Sequence, residues 1–151
     1  MSDKLSITLI QSDIYWENID LNLIHFERLI DRVSKTDIIF LPEMFNTGFT
    51  NRAELFAEKM NGKTIEWMQK ISSLKKCSVV GTLAVSEKKN IYNRLVWIKK
   101  KGNIETYDKR HLFSLAGEDK VMSKGKNRLI INDFGWKICP LICYDLRFPV
   151  F

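Results

Sequence analysis

Cys143 stands at the end of an apolar run, Ile138-Cys139-Pro140-Leu141-Ile142, and is followed at once by Tyr144, Asp145 and Arg147. A thiol delivered at the end of a strand-like segment is placed to act as a nucleophile. The thiolate is the reactive form, and a free thiol ionises only near pH ~8.5, so Cys143 needs a base or a positive neighbour. No histidine lies beside it; the chain's two are His25 and His111. A carboxylate together with a lysine is the other way to activate a thiol and hold an oxyanion. By residue type alone, a buried inert cysteine is an equally good account of Cys143.

Two residues supply the missing groups. Glu43 follows Pro42 and is flanked by Leu41, Met44 and Phe45, surroundings that desolvate a carboxylate and raise its pKa toward the range useful for moving a proton. Lys109 lies in Tyr107-Asp108-Lys109-Arg110-His111. Taken singly, a solvent-facing loop carboxylate and a surface lysine are the better readings of both. Together they follow one rule. Glu43 comes after an apolar strand (residues 37–41), Lys109 after a strand at 104–108, and Cys143 after a strand at 136–142. In open α/β sheets, ligand sites collect beyond the carboxyl ends of strands.

The elements that must position them are legible in outline. Residues 5–11 alternate as a strand, and Ile19, Leu23, Phe26, Ile30 and Val33 recur at helical spacing over 18–34. Thr64 is the expected cap of a second helix carrying Ile65, Trp67, Met68, Ile71 and Leu74. Strands over 78–86, 92–99 and 104–108, linked by turn-rich segments, form an antiparallel meander. A last hairpin pairs 128–132 with 136–142 through Asp133-Phe134-Gly135. The pattern predicts a mixed α/β sheet with helices on one face.

Composition narrows the classes. The chain has 151 residues, 45% of them hydrophobic, enough for one domain with a core. The net charge is +6. The lysines fall in short clusters (Lys75-Lys76, Lys88-Lys89, Lys99-Lys100-Lys101), the last two of which read as solvated hairpin turns, with no basic stripe interleaved with aromatics, so a nucleic-acid partner is not expected. No run is long enough to span a bilayer, and Met1-Ser2-Asp3-Lys4 lacks a secretory layout; a cytoplasmic protein is the expectation. Three cysteines without such a leader argue against a disulfide framework. Cys139 and Cys143 stand about 13 Å apart on an extended strand, too far for a local bridge. Cys77 and Cys139 read as small buried hydrophobes, and no metal site is expected.

Three blocks carry a resemblance: Leu41-Pro42-Glu43-Met44-Phe45, Tyr107-Asp108-Lys109-Arg110-His111-Leu112-Phe113, and Ile142-Cys143-Tyr144-Asp145-Leu146-Arg147-Phe148-Pro149. In order and spacing they resemble the signatures of the nitrilase (carbon–nitrogen hydrolase) superfamily. The wording is closest to its omega-amidase branch, which hydrolyses the terminal amide of 2-oxo-acid amides. The resemblance implies a four-layer α-β-β-α sandwich. It implies that residues 1–151 are one such domain, incomplete at the C-terminus, with strands beyond Cys143 missing and an open edge there. It implies Glu43 as general base, Lys109 as oxyanion stabiliser favouring the thiolate, and Cys143 as nucleophile. Glu118 matches a second glutamate that orients the lysine or assists proton transfer, against the competing reading of an exposed loop carboxylate. The backbone N–H of Tyr144 is a second oxyanion donor. His111 is expected to be structural, and Asp145 and Arg147 to fix the turn, with substrate-carboxylate recognition a minor reading of Arg147. No cofactor is implied; the partner is a small amide, and the complete domain is a homodimer or larger. The alternatives are another amidase, nitrilase or N-carbamoyl hydrolase of the superfamily, and an inactive fragment that acts only by association.

Overall fold

The computed structural model describes residues 4–151; the reading of Met1, Ser2 and Asp3 concerns residues outside that range. The main sheet has five strands in the order β1 (Ile7–Leu9), β2 (Ile38–Phe40), β3 (Ser78–Glu87), β4 (Asn90–Ile98), β5 (Ile104–Asp108). β1, β2 and β3 run parallel, β3 to β5 antiparallel. Between them come α1 (Ile19–Asp31), a short α2 (Ala53–Phe56) and α3 (Lys63–Lys75). A second, two-stranded sheet is the hairpin β6 (Ile131–Asp133) and β7 (Trp136–Ile138).

Alternation along the strands builds two cores. Ile39, Val79, Leu83, Val85, Val96 and Ile98 face the helices and pack on Phe26, Ile30, Ile65, Met68 and Ile71. Each such fully buried side chain stabilises the fold by about 1.5–3 kcal/mol. The opposite face presents Ile38, Val80, Leu95 and Trp97, which pack on Ile131 and Ile142. Asp133 ties that second layer down. Its Oδ2 accepts hydrogen bonds from Ser78 Oγ at 2.6 Å and Trp97 Nε1 at 2.9 Å. The result is helices, sheet and second sheet in sequence, the α/β architecture that the signature blocks imply.

Local chemistry explains where elements begin and end. Asn18 Oδ1 accepts from Leu21 N–H at 3.1 Å and starts α1. The β6–β7 turn has positive φ at both Phe134 (49°) and Gly135 (84°), the conformation of a two-residue hairpin loop. Lys88, at φ 56°, sits in the β3–β4 turn, so that lysine cluster is a turn as read.

Three expectations need correction. Thr64 does not cap α3. The helix starts from Gly62, and the Glu58 carboxylate reaches in to accept from Thr64 N–H (3.0 Å) and from its hydroxyl. The strand read over 136–142 pairs only to Ile138, because its partner begins at Ile131 and leaves residues 139–142 extended without a ladder. For the same reason Cys139 is exposed, while Cys77 is buried as expected. Burial pushes the Cys77 thiol up to about 11, so it stays protonated and inert.

Candidate active site

The turn after β2 carries Glu43. Its course is set by the neighbouring strand: Leu41 N–H donates to Val80 O (2.8 Å) and Met44 N–H to Thr82 Oγ1 (2.8 Å). Met44 takes a left-handed φ of 51°, which swings the chain back at once after the carboxylate. Non-glycine residues in that region cost on the order of 1–3 kcal/mol and persist where surrounding contacts over-determine them. Met44 and Phe45 are fully buried and supply those contacts.

Lys109 follows β5 and is completely buried. Its Nζ lies 2.8 Å from Glu43 Oε1 and 3.0 Å from Glu118 Oε2. The Phe49 ring covers it, with Nζ 5.5 Å from the centroid. Its main chain is clamped on both sides: its N–H donates to Asn93 O at 3.0 Å, and its carbonyl accepts from Gly125 N–H at 2.9 Å. Burial alone would lower the ammonium's pKa, but the hydrogen bonds and charges of Glu43 and Glu118 outweigh it, and the pKa sits above the ordinary lysine value. The lysine therefore stays charged through the neutral range.

Gly125 makes that clamp possible. A Cβ there would come within 1.9 Å of Asp108 O. Gly125→Ala is expected to force the Asp108–Lys109 backbone aside, costing about 3 kcal/mol. Thermal denaturation should show the midpoint falling by about 10 °C; an unchanged midpoint would remove Gly125 from the clamp.

Glu118 opens the one-turn helix α4 (Glu118–Val121) and is 1% exposed. It is a buried partner of Lys109, not a solvent-facing loop carboxylate. Phe113 N–H donates to its Oε2 at 2.6 Å. Asn93, on β4, joins both acids: its Nδ2 donates to Glu43 Oε1 at 2.8 Å and Glu118 Oε1 at 3.0 Å. Sequence reasoning passed over Asn93. The signal was present, because Asn93 shares the inward face with Leu95 and Trp97, where a polar residue needs a partner.

Cys143 begins a 3-10 turn (Cys143–Arg147) with φ 44°. Asp145 holds that turn. Fully buried, its carboxylate accepts from Tyr107 Oη (2.7 Å), His111 N–H (2.8 Å) and Ile142 N–H (3.1 Å), and lies 2.8 Å from His111 Nδ1. His111 in turn stacks on Phe148 at 3.8 Å. Asp145 thus fastens the segment after β5, and with it Lys109, to the cysteine turn. Tyr144 N–H, near the start of the turn, has no backbone acceptor among the described residues. Arg147 is exposed and makes no ion pair among the described residues, so it does not fix the turn.

Cys143 and Glu43 line one cavity of about 340 Å³, which Phe40, Leu41, Leu95, Trp97 and Cys139 also line. Partial burial, then the charge and hydrogen-bonding of Glu43, push the thiol above its ordinary pKa, and Lys109 pulls the other way without prevailing. Lys109 thus favours the thiolate in direction, as expected, but burial and Glu43 outweigh it. One ammonium stands against two carboxylates, so the thiol keeps its proton until a base removes it. The four groups can do general-base-assisted nucleophilic chemistry at an electrophilic carbon.

Comparisons with known proteins agree in extent and kind. The profile of the carbon–nitrogen hydrolase family matches residues 6–151. The chain is 39% identical to the omega-amidase YafV of Yersinia enterocolitica over 97% of its length, which covers 57% of that protein. It is 34% identical to the 2-oxoglutaramate amidase of Bacillus subtilis, covering 97% of this chain and 58% of that one. The chain thus spans a little over half the length of the curated relatives it matches. A solved CN-hydrolase superfamily protein from Xanthomonas campestris, with an arsenic adduct in its active site, superposes with a TM-score of 0.94 at 35% identity, over 97% of this chain and 56% of that one.

Proposed function

This chain belongs to the carbon–nitrogen hydrolase family, and from that premise we propose that the domain it is part of hydrolyses the terminal amide of 2-oxo-acid amides to the acid and ammonia. The observation that carries this reading is the thiol of Cys143 beside a carboxylate that is itself locked to a buried ammonium. The substrate class is taken from the relatives described as omega-amidases and as a 2-oxoglutaramate amidase. A cytoplasmic homodimer belongs to the same proposal.

The steps use this chain's own residues. Glu43 takes the Cys143 proton as sulfur attacks the amide carbon. The carbonyl oxygen becomes an oxyanion, facing the Lys109 ammonium and the Tyr144 N–H. The tetrahedral adduct collapses, the C–N bond breaks, and protonated Glu43 gives its proton to the leaving nitrogen. Ammonia departs and a thioester remains on Cys143. Glu43 then deprotonates a water that attacks the thioester carbon, and the acid leaves as the thiol regains its proton. Glu118 keeps Lys109 charged and aimed.

Ammonia release from 2-oxoglutaramate, 2-oxosuccinamate, simple nitriles and N-carbamoyl amino acids tests the substrate class. The expected order puts both 2-oxo-acid amides first. Preference for a nitrile or a carbamoyl compound would overturn that class and keep the chemistry. Failure of every compound, with no acylation of Cys143, would favour a fragment that acts only in association.

A further inference from the structure

Glu43 has two carboxylate oxygens with different surroundings. Oε1 accepts two strong donors, Lys109 Nζ at 2.8 Å and Asn93 Nδ2 at 2.8 Å. Oε2 takes no nitrogen or hydroxyl donor among the described residues, and Glu43 lines the cavity that Cys143 also lines. Asn93 is fully buried in β4, opposite Ala84, and cannot swing away without breaking two hydrogen bonds. Its carbonyl also holds the Lys109 main chain. One neutral side chain therefore touches both acids and, through its backbone, the base of the lysine.

We propose that Asn93 is a positioning residue that occupies Glu43 Oε1, together with Lys109, so that Oε2 alone is presented to the Cys143 thiol. The inference rests on the reading of Glu43 as the base for Cys143. A carboxylate that accepts from two donors at one oxygen is fixed in rotation about its terminal bond. The remaining oxygen then faces the thiol without a search through orientations, which is the entropic part of proton transfer. An amide suits the task better than a second cation. It donates without titrating, and it leaves the carboxylate basic enough to take a proton, where another ammonium would hold it ionised. Asn93 Oδ1 is buried with no partner among the described residues. The side chain is thus kept for what its nitrogen does, since a buried unpaired acceptor is destabilising by itself.

The test reads the base directly and does not need turnover. The rate of Cys143 alkylation by iodoacetamide is followed from pH 4 to 10 by peptide mass spectrometry, with Cys139 as internal reference. The groups facing Glu43 are Lys109 beyond β5, Glu118 on α4, Asn93 on β4 and Cys143 itself. The unaltered chain is expected to show an acid inflection in Cys143 reactivity, lost in Glu43→Gln. Asn93→Leu, of the same branched shape though bulkier and without a donor, should raise that inflection by about one pH unit and lower the plateau roughly tenfold. Asn93→Asp, which keeps the shape, should raise it further by adding a like charge, and serves if the leucine variant does not fold. If both variants keep the inflection and plateau of the unaltered chain while Glu43→Gln removes them, the positioning role is wrong and the base stands. If Glu43→Gln itself keeps the inflection, the base reading fails and the role of Asn93 goes with it.

Discussion

Cys143→Ala abolishes acylation and ammonia release while the chain stays folded: that is the expected result, with activity at least about 10⁴-fold lower. Of the other two thiols, Cys77 is buried, and Cys139 is exposed and lines the same cavity, so a Cys139→Ala control accompanies the substitution. The substitution also has an informative companion. Cys143 sits at φ 44°, where any side chain is strained and glycine is not. Cys143→Gly should therefore be just as inactive and yet more stable than the alanine variant by about 1 kcal/mol, after allowing for the extra freedom glycine gives the unfolded chain. Thermal melts of the two variants read the difference. Equal melting points would mean that the turn is not strained at the nucleophile; residual turnover in either would mean that the nucleophile lies elsewhere.

The second large effect belongs to Lys109. Lys109→Met fills the same space and removes the charge, leaving Glu43 and Glu118 facing each other with only Asn93 between them. Breaking a buried ion pair by removing one partner costs about 3–5 kcal/mol. A fall of roughly 10 °C in melting temperature is expected, together with loss of acylation. Adding Glu118→Gln should recover a substantial part of the stability and none of the activity, because it removes the unpaired charge without restoring the ammonium proposed to hold the oxyanion. The sign with pH follows from the raised pKa of Lys109. Its contribution is fully present below the unfolded lysine value near ~10.4 and is lost only as pH climbs through the higher folded value. The gap between the two proteins should thus be constant through the neutral range and narrow in strong alkali. A gap that vanished at neutral pH would show that the pair is not what holds these segments together.

Much of this was legible in the residues. Ile104–Asp108 is a strand end for end as read, because alternation and the flanking turn agree. Glu43, Lys109 and Cys143 stood out by residue type and by their signature blocks, Glu118 only through the family resemblance, and the structure brings the four close together. What escaped was whatever depended on a partner distant in sequence. Thr64 looked like a cap because Ser and Thr usually are, but Glu58 bends in from outside the helix and takes that place. The run before Cys143 looked like a full strand because apolar residues continue to Ile142, yet a ladder lasts only as long as its neighbour. Asn93 showed in the sequence only as a polar residue on an inward strand face; which groups it serves depends on acids brought in from distant positions. The direction of the thiol's pKa also lay beyond sequence, since it depends first on burial and then on how close Glu43 comes, against the pull of Lys109.

The burial of Lys109 bears on how the protein reaches its native state. Its two carboxylate partners come from chain positions 66 residues before and 9 residues after it. An ammonium cannot shed its water for one acid alone without a large desolvation penalty, so the nearby helix and the distant turn must close over it together. Closing the longer loop is the slow entropic step. The reactive centre is thus expected to be among the last parts of the chain to acquire native order. A folding intermediate with a formed sheet would still present Cys143 without the Glu43 carboxylate beside it, and the arrangement proposed for catalysis would appear only as refolding finishes.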